Sequence, residues 1–123
     1  MAVGRLGEEA TPLDLARRIV DVAADRQAVD VVLLDIRPMA SFADYFVVCS
    51  GTSERQIKAI VDTVLETLER DGFNAIHVEG APSSGWVLVD FGSVILHVFA
   101  PGERDYYRLE RLWSGAQTVV RVQ

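Results

Sequence analysis

The stretch Gly85–Phe99, GWVLVDFGSVILHVF, decides the fold. It reads as two strands joined by a tight turn at Gly92-Ser93, because glycine supplies the positive φ that a primed two-residue hairpin turn requires. A strand with one wet face alternates apolar and polar residues. Here only Asp90, Gly92, Ser93 and His97 interrupt the apolar run from Trp86 to Phe99. Trp86, Leu88, Val94, Leu96 and Val98 are expected on one face, and Val87, Val89, Phe91, Ile95 and Phe99 on the other. Either the chain covers both faces itself, or one is left for a partner.

Upstream, Ala75–Glu79 reads as a short third strand, separated from the hairpin by the loop Gly80–Gly85. Before it, Ile57, Ile60, Val61, Val64, Leu65 and Leu68 recur at helical spacing, which predicts helix two over 54–71. Ser53 and Gln56 fit a capping box at its start, and Gly72 suits a left-handed close. Tyr45–Ser50 reads as strand two, apolar on both faces. Val31–Ile36 is a β-branched strand one, ended by Arg37-Pro38. Thr11 and Pro12 are cap and first residue of helix one, expected over 12–27, with Asp14 placed to favour the helix dipole.

Downstream, Pro101-Gly102 ends the hairpin. Glu103–Trp113 reads as helix three, with Tyr106, Leu109, Leu112 and Trp113 on one face. Thr118–Val122 is β-prone, a candidate edge strand. The expected architecture is α/β in the α+β sense, in the order α-β-β-α-β-β-β-α: a single mixed five-stranded sheet with helices packed on it. Residues 1–10 read as a flexible tail and 11–123 as one domain. Helices one and two can cover one face of the sheet. Helix three is too short to cover the whole of the other, which leaves Trp86 and Leu88 partly open.

Bulk composition narrows the function. The 123 residues carry a net charge of −6, with a pI near 4.8. The longest basic run is Arg17-Arg18, which argues against direct nucleic-acid binding and for a basic protein partner. Neither a spanning apolar run nor a secretory leader is read, so a cytoplasmic location is expected and no membrane contact. The one cysteine, Cys49, sits in an apolar run and reads as buried filler.

Catalytic constellations are thin. Ser50–Ser53 at a strand-to-helix junction could cradle a phosphate, but it lacks the lysine of a P-loop and reads better as turn plus helix cap. Asp35, Asp44 and Asp90 are strand-end carboxylates that could hold magnesium for a nucleotidyl- or phosphotransfer, yet no two are spaced as a pair on one strand face. His97, within an apolar strand, reads as a hydrogen-bonded structural histidine. No catalytic, cofactor or metal residue is assigned. The aromatics suggest more, since Trp, Tyr and Arg are the usual interface anchors and Trp86 opens a strand.

Three segments together resemble the ribosomal silencing factor (Iojap) family. They are Ala43–Gln56 (ADYFVVCSGTSERQ), Gly85–Phe99, and Arg104–Trp113 (RDYYRLERLW), in the family's order and spacing. The resemblance covers about residues 12–114. It implies a fold related to nucleotidyltransferases but without their catalytic carboxylates. It implies binding to large-subunit ribosomal protein fourteen on the large ribosomal subunit, at the face that meets the small subunit, so that subunit joining is blocked and translation silenced. A part in large-subunit maturation and a homodimeric state are also implied. Carried over by position, the partner-binding residues are Trp86, Leu88, Asp90 and Phe91, with Arg104 and Tyr107 as additions. Ser93 stands where many relatives carry aspartate, which removes a carboxylate from the hairpin turn.

Overall fold

The computed structural model describes residues 10–102 and 115–122. The first helix, α1, runs Pro12–Asp25. The Thr11 hydroxyl accepts the Asp14 amide at 3.1 Å, and the Asp14 carboxylate accepts the Thr11 amide at 3.0 Å. Asp14 therefore completes a reciprocal capping box as well as favouring the dipole. The helix stops short of residue 27, where Gln27 takes a left-handed φ of 63° and turns the chain into strand β1, Val29–Asp35.

Strand β2, Tyr45–Ser50, keeps the expected bounds and is buried throughout. Helix α2 runs Glu54–Arg70, and the Ser53 hydroxyl accepts the Gln56 amide at 3.1 Å. The Gln56 side chain reaches past Ser53. Its oxygen accepts from the Thr52 amide at 2.6 Å, and its NH2 donates to the Gln27 carbonyl at 2.9 Å. This one side chain ties the start of α2 to the corner between α1 and β1. At the other end Gly72 adopts φ 98°. The amides of Gly72 and Phe73 donate to the Glu69 and Leu68 carbonyls, the two hydrogen bonds of a Schellman close.

The remaining strands are β3 (His77–Ala81), β4 (Trp86–Asp90), β5 (Val94–Phe99) and β6 (Gln117–Val122). They form one mixed sheet in the order β3-β4-β5-β2-β1-β6. The sheet has six strands, not the expected five. The β-prone tail pairs antiparallel with β1, whose outer edge would otherwise leave a row of backbone groups unpaired. β3 begins two residues later than expected and takes in Gly80 and Ala81, after which Pro82–Ser84 make a single 3-10 turn. β2 and β5 are the one parallel pair and sit at the centre, buried on both faces.

Helices α1 and α2 lie on the same face of the sheet. Ile19, Ile57, Ile60, Val64 and Leu68 pack there against Leu33, Val47, Val89, Leu96 and Val98. Arg18 of α1 donates to Asp71 at the end of α2 at 2.8 Å, which joins the two helices at their edge. The second face carries Val32, Leu34, Phe46, Val48, Ile95 and Phe99, with Trp86 and Leu88 packed at the margin. Among the described residues no helix contributes to that second cluster.

This pattern corrects the expected faces of the hairpin. In the register, Trp86 faces Phe99, Leu88 faces His97 and Asp90 faces Ile95. A two-residue turn sets each even-numbered residue of β4 opposite an odd-numbered one of β5. Val94, Leu96 and Val98 therefore belong to the helix side, while Ile95, His97 and Phe99 share a face with Trp86. Residues 1–9 of the tail expected over 1–10, and helix three with Arg104 and Tyr107, lie outside the described residues.

Candidate protein-docking face

The sequence of β4 alternates in its surroundings. Val87 and Val89 are buried under the helices, while Trp86, Leu88 and Asp90 are half-buried on the second face. The structure thus brings together three of the expected partner-binding residues. Phe91 goes elsewhere: it is one step out of phase and packs into the helix-side core. Its amide donates to the Val94 carbonyl at 2.9 Å, so it holds the turn. Asp90 caps the same turn by accepting the Gly92 amide at 2.7 Å.

Trp86 is held by aromatic rings. Its indole stacks on Phe99, centroids 5.3 Å apart and planes 20° apart, and lies beside the His97 ring, centroids 6.0 Å and planes 28° apart. Its Nε1–H donates to His97 Nδ1 at 3.3 Å. The His97 ring in turn meets Phe46 edge-on at 4.7 Å. Phe46 packs beside Phe42 at 6.2 Å, and Phe42 is exposed in the β1–β2 connection. An aromatic row therefore crosses the second face from Trp86 on β4 to the loop before β2. Burial among these rings pushes the His97 imidazole down to about 4.

The surroundings of Trp86 and Leu88 are acidic. Glu79 of β3 faces Leu88 across the strand pair, and His77 faces Asp90. A small cleft of about 100 Å³ lies between Glu79, Gly80, Trp86 and Leu88. Gly80 is required there. It sits at φ 83°, and a Cβ would fall 2.1 Å from the Trp86 carbonyl oxygen. Gly80→Ala is expected to cost about 1–2 kcal/mol, read as a lowered urea midpoint, with β3 losing amide protection before the central strands. Glu79 also meets His77 at 2.8 Å, and an apolar anchor flanked by the two carboxylates Glu79 and Asp90 suits a basic protein surface.

Two of the three carboxylates considered for magnesium, Asp35 and Asp90, have other partners. Asp35 forms a two-pronged pair with Arg37, at 2.9 Å and 2.7 Å. Those hydrogen bonds hold the Asp35 carboxyl below the usual carboxylate range against the opposing effect of burial. By strand alternation Asp35 lies on the helix face and Asp90 on the second face. Among the described residues no group of three His, Cys, Asp or Glu is arranged to hold a metal. Ser50–Ser53 serve as turn and cap, as expected.

Sequence reasoning missed three contributors. Glu79 was assigned to a weak strand without a partner in view. Phe42 lies in a loop, just outside the segment that resembles a family. His97 was read as structural, and only the hairpin register shows that it meets Trp86.

The chain is similar to a ribosomal silencing factor, RsfS, of Halalkalibacterium halodurans, at 38% identity over 106 residues, 86% of this chain and 91% of that one. It is 31% identical over 99 residues to the mouse protein named for mitochondrial assembly of the ribosomal large subunit, with 78% of this chain and 43% of that longer one covered. A crystal structure of a Chromobacterium violaceum protein superposes with a TM-score of 0.82 at 33% identity, covering 90% of this chain and 94% of that one. The family model described as ribosomal silencing factor during starvation matches residues 9–123, and the chain therefore belongs to that family.

Proposed function

We propose that this protein is a non-catalytic translation repressor. It binds the large ribosomal subunit through large-subunit ribosomal protein fourteen at the intersubunit face, and by occupying that face it blocks joining of the small subunit. The observation that carries the reading is the half-buried Trp86–Leu88 pair flanked by Glu79 and Asp90, the arrangement of an apolar hot spot within a complementary charged rim. Family membership and the net charge of −6 support it.

The name of the mouse relative speaks of assembly of the large subunit, and a role in large-subunit maturation belongs to the same reading. So do a cytoplasmic location, a homodimer and a kinship with nucleotidyltransferase folds, which the mixed sheet with helices on one face supports. Among the described residues no helix is long and apolar enough to cross a membrane.

The test is co-sedimentation of the purified protein with separated ribosomal subunits, followed by light scattering of subunit association. Pelleting with large but not small subunits, together with suppressed association, is the expected result. Absence from both pellets would overturn the reading.

A further inference from the structure

We infer that His97 is a positioning residue for Trp86: its Nδ1 accepts the indole N–H and fixes the orientation in which Trp86 meets its partner. The inference rests on the reading of Trp86 as the docking anchor and adds a residue that would not itself touch the partner.

Three observations carry it. First, His97 is on β5, opposite Leu88, where its neighbours on the face are Phe46, Phe99 and Trp86. A phenylalanine would suit that setting without burying a polar ring. Second, the indole can only donate, so Nδ1 must be bare and the imidazole proton must sit on Nε2. Third, that Nε2 is buried with no hydrogen-bond partner among the described residues. A buried donor left unpaired works against the fold. What the polar ring gives in return is the acceptor it offers Trp86.

The consequence is preorganisation. Trp86 is half-buried on the outer face of β4. A large side chain that must choose its rotamer on docking gives up affinity, and one already fixed does not. Stacking on Phe99 fixes the plane of the indole. The bond to Nδ1 fixes which edge points inward.

The experiment measures binding of the full chain to purified large ribosomal subunits. His97→Phe keeps the ring and removes the acceptor, and is expected to weaken binding about tenfold with the urea midpoint held or raised. His97→Asn, whose side-chain oxygen falls near the place of Nδ1, is expected to restore most of that loss. In a Trp86→Ala background His97→Phe is expected to have no further effect, because the two act as one unit. Full additivity there, or unchanged binding by a folded His97→Phe variant while Trp86→Ala binds weakly, would overturn the positioning role alone. Unchanged binding by Trp86→Ala would overturn the docking reading and the inference with it. Histidine 15N shifts of the wild-type protein test the same point without any variant: the Nε2–H tautomer is expected, and an Nδ1–H tautomer would refute the proposal.

Discussion

Replacing Trp86 with alanine is expected to weaken binding to large ribosomal subunits by at least about 2 kcal/mol, roughly thirtyfold, while the chain still folds. The binding loss is large because the indole is the largest side chain on the half-buried outer face of β4, beside Glu79 of β3. The folding loss is smaller for reasons of place. The backbone of β4 is hydrogen-bonded on both sides, to β3 and to β5. Its inward residues Val87 and Val89 stay buried under the helices, and the loss is confined to the contacts that the indole makes with Phe99 and His97 on the outer face. Titrating the variant against large subunits by sedimentation, with a urea curve beside it, separates the two effects. A folded variant with wild-type affinity would remove Trp86 from the interface.

The elements whose signals are local were legible in the sequence. Tyr45–Ser50 kept its bounds because a run apolar on both faces between a loop and Gly51 has one interpretation. Helix α2 carried its own cap at Ser53 and its own close at Gly72, so both ends were fixed by neighbouring residues. The docking residues Trp86, Leu88 and Asp90 share a face because strand alternation is a local rule.

What failed depended on partners distant in sequence. The faces of β5 relative to β4 follow from register, and the two-residue turn inverts parity, so His97 entered the site, whereas Phe91 falls out of it by the same alternation that unites Trp86, Leu88 and Asp90. β6 was β-prone and named as a candidate edge strand, but the count of five left it out; its place in the sheet is decided by the open edge of β1 some 90 residues earlier, where the ion pair of Arg121 with Asp30 at 2.8 Å also helps to hold it. Gln56 looked like one half of a local capping box, yet its amide serves the α1–β1 corner as well. In each case a local pattern admitted two answers and a long-range contact selected one.

Burial of His97 also predicts how the fold responds to acid. Its imidazole is moved from 6.5 to about 4, with desolvation as the cause. The unfolded chain therefore binds a proton below about pH 6.5 that the folded chain refuses until about pH 4. More protons on the unfolded state means that stability rises with pH across this window and is lost as pH falls through it. The full shift corresponds to about 3 kcal/mol, of which about 2 kcal/mol is lost by pH 5. Urea unfolding at pH 7, 6 and 5 measures it. His97→Phe should flatten that slope, leaving the paired carboxylates such as Asp35 to give way at lower pH as their own depressed values are reached. A slope unchanged in the variant would place the proton uptake on other groups. The same energetics bear on docking. A protonated His97 could not accept the Trp86 indole N–H. Because burial keeps the ring neutral well below pH 7, the Trp86 geometry is insulated from ordinary swings in pH, and large-subunit affinity is expected to stay flat on the protein's side between pH 6 and 8.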